Sequence, residues 1–140
     1  MALKRKIVLR AHAEPAYNED RATVEVILPG HLLEIVTATT CQKNKAAGAD
    51  IARAFAIERS EIGRDIDQPY AIDDQVHEFV GQQGDRVLAL IPSGQVIAAG
   101  DYLSADNDGH LVLASGTRLA RSLEDLNAVK ADTRIRVELI

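Results

Sequence analysis

The sequence predicts a mainly β domain: a small barrel or β-clip-like sandwich, with one short helix and an extended N-terminal arm. Three observations carry that expectation. Strand-length apolar runs are punctuated by Gly, Pro and Asn turns roughly every eight to ten residues through the second half. Only 4% of the residues are aromatic and none is Trp, so the core must be built from Val, Ile, Leu and Ala, which suits thin β layers. The final stretch Thr133–Ile140 alternates Ile135, Val137 and Leu139 with Arg134, Arg136 and Glu138, a half-buried strand with its charges outward. The expected organisation is an arm over residues 1–22 and one β-rich domain over residues 23–140.

Along the chain, Leu3–Arg10 reads as a short strand among charges, and Ala11–Ala22 as a loop or extended arm without periodicity. Val24–Leu28 alternates before the Pro29-Gly30 turn. His31–Thr40 is rich in β-branched residues and reads as a strand, with Cys41–Asp50 a polar turn region after it. Ile51–Glu58 sets Ile51, Phe55 and Ile57 against Ala52, Ala54 and Ala56, a pattern that favours a strand over a helix. Arg59–Asp74 is a long acidic connection with Tyr70 and Ile72 as anchors, long enough to suggest contact with a partner.

Strands are then expected at Gln75–Val80, Asp85–Ile91, Gln95–Ala99, from Tyr102, and at His110–Ala114. Pro92-Ser93-Gly94 and Asp106-Asn107-Asp108-Gly109 supply turns, the latter a hairpin signal because Asn and Gly tolerate positive φ. Ser122 and Asp125 have the spacing of a capping box, and Leu123, Leu126 and Val129 share a helical face, so a short helix is expected over Leu123–Lys130.

Charge and composition exclude several roles. The net charge is −5 with both signs interspersed, and no concentrated Lys/Arg stripe for a phosphate backbone is visible, so no nucleic-acid partner is expected. The single basic run is Lys4-Arg5-Lys6 with Arg10, either a solvated strand edge or an arm lying on an acidic partner. One cysteine, Cys41, rules out an internal disulfide and a multi-thiolate metal site, and it fits a reducing cytoplasm. No apolar run approaches the ~20 residues of a membrane span, and the first residues do not read as a signal peptide.

Catalytic and metal chemistry find little support in the spacing. His12, His31, His77 and His110 include no pair at local ligand spacing, and no cofactor or metal is expected. The Asp106–Gly109 turn resembles a calcium loop only in its first residues, since Thr117 stands where the closing carboxylate would be. Cys41 has no nucleophile signature, and Ser93 lacks the flanking glycines of a nucleophile elbow. No enzyme class is supported. A hydrolase built on Asp65, Asp67 and His77 is the weakest of the readings.

One stretch carries a resemblance. Gly84–Ala114 (GDRVLALIPSGQVIAAGDYLSADNDGHLVLA) runs through a Gly-Asp turn and a strand to a Gly94-Gln95 lead-in. The Ala99-Gly100-Asp101-Tyr102-Leu103 turn and a short Asn107–Leu111 hairpin complete it. In these parts, and in its Arg134–Leu139 end, the chain resembles the head decoration, or capsid cement, proteins of tailed bacteriophages. The resemblance implies a virion protein, made in the host cytoplasm, that binds the capsid exterior and stabilises contacts between major capsid proteins. It implies self-association too, as a homotrimer or, second, a homodimer, because many small contacts made together bind tightly.

On that reading the residues expected to meet a partner are Lys4, Arg5, Lys6, Arg10, Tyr17 and Tyr70. The alternative is a small β-clip module binding a sugar or peptide, which would gather Tyr17, Tyr70 and Tyr102 into one cleft. A lipoyl-type carrier is disfavoured, because the hairpin tip Asp106–Gly109 holds no lysine.

Overall fold

The computed structural model describes residues 6–12, 18, 21–59, 65–127 and 130–140. Eleven strands follow in order: β1 Val8–Arg10, β2 Ala22–Thr23, β3 Leu33–Thr37, β4 Thr40–Lys43, β5 Ala54–Ala56, β6 Glu78–Val80, β7 Arg86–Ile91, β8 Tyr102–Ala105, β9 Leu111–Leu113, β10 Ala120–Ser122 and β11 Thr133–Leu139. They form an antiparallel sheet ordered β1-β7-β11-β10-β8-β9, a three-stranded sheet β2-β4-β3 and the pair β5-β6. The sheets pack as a sandwich. The mainly β expectation holds, and the barrel alternative does not, since the sheets do not close on themselves.

The β11 alternation is realised as read. Ile135, Val137 and Leu139 are buried, and Ile135 and Val137 lie opposite Ala89 and Val87 of β7. A large main core fills the space behind this sheet, and Leu32, Phe55, Ile57 and Phe79 enter it from the other layer. The large-small alternation of β5 has a definite use. Phe55 and Ile57 point into the main core, whereas Ala54 and Ala56 face a second, smaller core with Ile27, Leu33, Cys41, Tyr70 and Val76. One three-residue strand thus divides two cores, and small side chains on one face let the second layer approach closely.

Several expectations change. Ile7 is fully buried, and its N–H donates to the Glu58 carboxylate at 3.1 Å. With Val8–Arg10 paired to β7, residues 7–10 belong to the domain and not to an arm. The alternation of Val24–Leu28 yields only the Ile27–Tyr70 bridge: β2 ends at Thr23, whose hydroxyl bonds Glu25 in a tight local turn, and Val24 and Val26 are exposed. Of His31–Thr40, Leu33–Thr37 forms β3; Thr37, Thr39 and Thr40 then close a hairpin through hydroxyl bonds, and the expected turn region Cys41–Asp50 begins instead as β4. Gln95–Ala99 contributes a single bridge, Ile97 to Leu126, and no strand.

No helix is present among the described residues, so the helix expected over Leu123–Lys130 is not seen. Its capping groups serve the sheets. The Ser122 hydroxyl bonds Glu124, the Asp125 carboxylate accepts the Ala99 N–H at 2.8 Å, and Leu126 exchanges both backbone bonds with Ile97. An eight-residue helix is marginal by itself, and these long-range bonds outweigh it.

Candidate functional site

Of the residues expected to meet a partner, the structure describes Lys6, Arg10 and Tyr70. Lys4, Arg5 and Tyr17 lie outside the described residues. Lys6 is exposed, and Arg10 is exposed on β1. Tyr70, expected at a partner surface, is instead a core residue, 2% exposed, whose hydroxyl donates to the Ile57 carbonyl at 2.5 Å and accepts the His77 N–H at 3.3 Å. Tyr102 lies on the outer face of the six-stranded sheet beneath the Arg118 guanidinium, 4.3 Å from its ring centre. Tyr70 and Tyr102 therefore share no cleft.

Two histidines with no local signal in the sequence come together. His31, at the entrance to β3, meets His110, at the entrance to β9, edge to face with ring centres 5.1 Å apart. His110 Nδ1 lies 3.1 Å from an Asp106 oxygen and Nε2 lies 2.7 Å from an Asp132 oxygen. Asp106 also accepts the N–H groups of Asp108 and His110, which folds the hairpin tip around its own carboxylate. Asp108 in turn pairs with Lys43 at 3.0 Å and Lys45 at 3.6 Å. The Asp106 and Asp108 carboxylates of the calcium-like turn are thus occupied by protein donors.

Ligand atoms of His31, His110 and Asp132 fall within 4.8 Å of one another, so a metal must be weighed. Proton placement argues against one. The Leu28 N–H donates to His31 Nδ1 at 3.0 Å, which puts the lone pair on that nitrogen and the proton of the neutral ring on Nε2. Both nitrogens of His110 face carboxylates, the arrangement of an imidazolium. Burial disfavours that charge, but the hydrogen bonds to Asp106 and Asp132 outweigh it and raise the His110 pKa. A metal ligand needs a free lone pair, with the second nitrogen donating outward. His31 does not supply that arrangement, because its Nδ1 accepts the Leu28 N–H and so is not an outward donor; His110 and Asp132 alone are two ligands, fewer than a bound ion requires. Prolonged dialysis against a chelator is therefore expected to leave the melting temperature unchanged, and a saturable rise on adding Zn²⁺ would refute the assignment.

Cys41 lies in β4 within the second core, 2% exposed. Burial, followed by the nearby Glu78 charge, pushes its thiol up to about 11, so it stays protonated at neutral pH and is a poor nucleophile. Of the acidic connection, Asp67 is held by Arg134 at 2.9 Å. The same guanidinium donates to the carbonyls of Pro29 and Ile66, which fastens two loops over the sheet.

The feature best suited to meet another molecule is an edge. At Leu32 the chain still bridges Phe55, but beyond it β3 has a strand partner only on its β4 side among the described residues. The gap between β3 and the β5-β6 pair is an apolar groove of about 330 Å³, lined by Leu33, Ile35, Ile51, Ala52, Ala54 and Val80 with Glu34 and Glu78. Ile35 is 60% exposed, and Val36 and Val80 are nearly half exposed. A register irregularity between Ile35 and Thr37 adds a residue at the end of β3. Sequence reasoning saw a strand here but had no means of seeing which side of it was left open. No protein-family model matches the chain, and no curated protein matches it.

Proposed function

We propose that the protein is a capsid decoration protein, which docks on the exterior of a phage head and strengthens contacts between shell subunits. The observation that carries the reading is the open β3 edge with its apolar groove. A protein surface usually blunts a free strand edge with charge or covers it. Here the edge is bordered by exposed Ile35, Val36 and Val80. Such an edge gains most when an extended segment of a partner adds as a further strand: main-chain bonds supply affinity, and the groove selects apolar side chains. A shell subunit is the proposed donor of that segment. The resemblance of Gly84–Ala114 to cement proteins points the same way.

The test is co-sedimentation with expanded phage heads stripped of their outer proteins. The wild-type chain is expected to saturate the heads. Ile35→Lys is expected to lose attachment while changing stability by no more than about 0.5 kcal/mol, because the side chain is already mostly in water. A wild-type chain that stays in the supernatant at all head concentrations ends the proposal.

A further inference from the structure

The outer face of the six-stranded sheet carries a row of charges that the linear sequence conceals. Register places Arg10 opposite Arg86, Arg86 opposite Glu138, Glu138 opposite Arg121, and Arg121 opposite Tyr102. Residues directly opposite in a sheet share a face, so this is one line across five strands, roughly 19 Å long at ~4.8 Å per strand. Arg118 extends it by stacking on Tyr102. Four guanidinia therefore lie along a row that holds a single carboxylate. Glu138 is fully engaged, with one oxygen 3.3 Å from Arg86 and the other 2.7 Å from Arg121. Alongside, Arg136 is paired with Glu124, and Arg134 is taken up by Asp67 and the loop carbonyls.

Two features make the row more than a solvated face. Arg10 opposite Arg86 is a like-charge cross-strand pair, which costs stability. And Arg10 reaches this face only because β1 is bulged: Val8 pairs with Val87 but Arg10 pairs with Arg86, so two steps on β1 match one on β7. A regular strand would turn Arg10 to the side of Val8, which packs against the main core. The bulge instead adds a cation to a face already rich in them.

We infer that this face recognises a carboxylate-rich protein segment, gripped by Arg10, Arg86, Arg118 and Arg121 through their planar forks. The inference rests on the docking reading for the source of the segment, an acidic patch on the shell subunit. It gives the protein a second contact, chemically unlike the apolar β3 groove, as bridging two subunits requires. A nucleic acid fits less well, because its charge continues along the strand and a net charge of −5 repels whatever extends past the row, whereas a short acidic segment ends with it.

The experiment is fluorescence anisotropy of labelled hexaglutamate with the full chain at about 50 mM salt, where surface charge is little screened. Hexaglutamate is expected to bind, and about 500 mM salt to abolish binding. Arg118→Gln, outside every strand, and Arg121→Gln are each expected to weaken binding about tenfold. Glu138→Gln is expected to tighten it about threefold, a gain that a merely structural carboxylate would not give. Absence of hexaglutamate binding, tighter binding of oligothymidylate, or a Glu138→Gln chain that binds no better overturns the inference. Head co-sedimentation of the same variants separates the two proposals. Attachment undiminished in Arg118→Gln and Arg121→Gln removes the acidic contact and leaves docking standing. Hexaglutamate binding without attachment of the wild type removes docking alone.

Discussion

Replacing Phe55 by alanine is expected to lower the unfolding free energy by about 3–5 kcal/mol, the largest single effect this fold offers. Phe55 is 1% exposed and lies directly opposite Phe79 across the β5-β6 pair, so the chain's two phenylalanines form one contact in the main core. Truncation removes the ring from a strand that also bounds the second core, and β5 is held by β6, by the Leu32 bridge and by its flanking backbone bonds. The surroundings have little freedom to collapse into the space. Domains of this size are stable by only about 5–15 kcal/mol, so the variant should show a large fall in its urea midpoint. Ile35→Ala on the open edge should unfold with the wild type. A Phe55→Ala chain whose midpoint is unmoved would show that β5 does not join the two layers as described.

That division of cores also shows what was legible in the sequence. The large-small alternation of Ile51–Glu58 and the alternation of Thr133–Leu139 are local patterns, and both hold strands, although Ala54–Ala56 is buried on both faces where one was expected. Failures came where long-range bonds decided the outcome. Ala120–Ser122 is too short to read as a strand, yet β8 and β11 hold it from both sides. Within the expected helix, Asp125 is drawn to Ala99 and Glu124 to Arg136. Leu3–Arg10 reads as a short strand and Val8–Arg10 forms one, but its charges conceal that Ile7 is buried and that the strand belongs to the domain. The partner-facing features were least legible of all. The charged row across five strands depends on register and on a one-residue bulge, and the β3 groove depends on where two strands part. Composition is silent on both.

The histidine pair gives stability a pH dependence with two opposed limbs. Burial, and second the neighbouring His110 cation, push His31 down to about 3 from its ordinary value of 6.5. Between those values the unfolded chain holds a proton that the folded chain refuses, so stability falls as pH drops below 6.5. At about 1.4 kcal/mol per pH unit, the loss attributable to His31 is about 2 kcal/mol at pH 5. His110 acts in the opposite sense: its raised pKa gives stability that is complete below 6.5 and disappears as pH rises through its folded value. Asp106, lowered by its bonds to His110 and Asp108 against the effect of burial, contributes stability above the ordinary carboxylate range that is lost as pH falls through its folded value. The interval from pH 5 to 6.5 lies above that range, which isolates the imidazoles. Urea unfolding of His31→Gln, which keeps an acceptor near the Leu28 N–H, should therefore show the acid limb flattened in that interval and the alkaline limb intact. His110→Gln should show the alkaline limb removed instead. If His31→Gln keeps the wild-type slope between pH 5 and 6.5, the neutral buried imidazole is not what the acid limb reports.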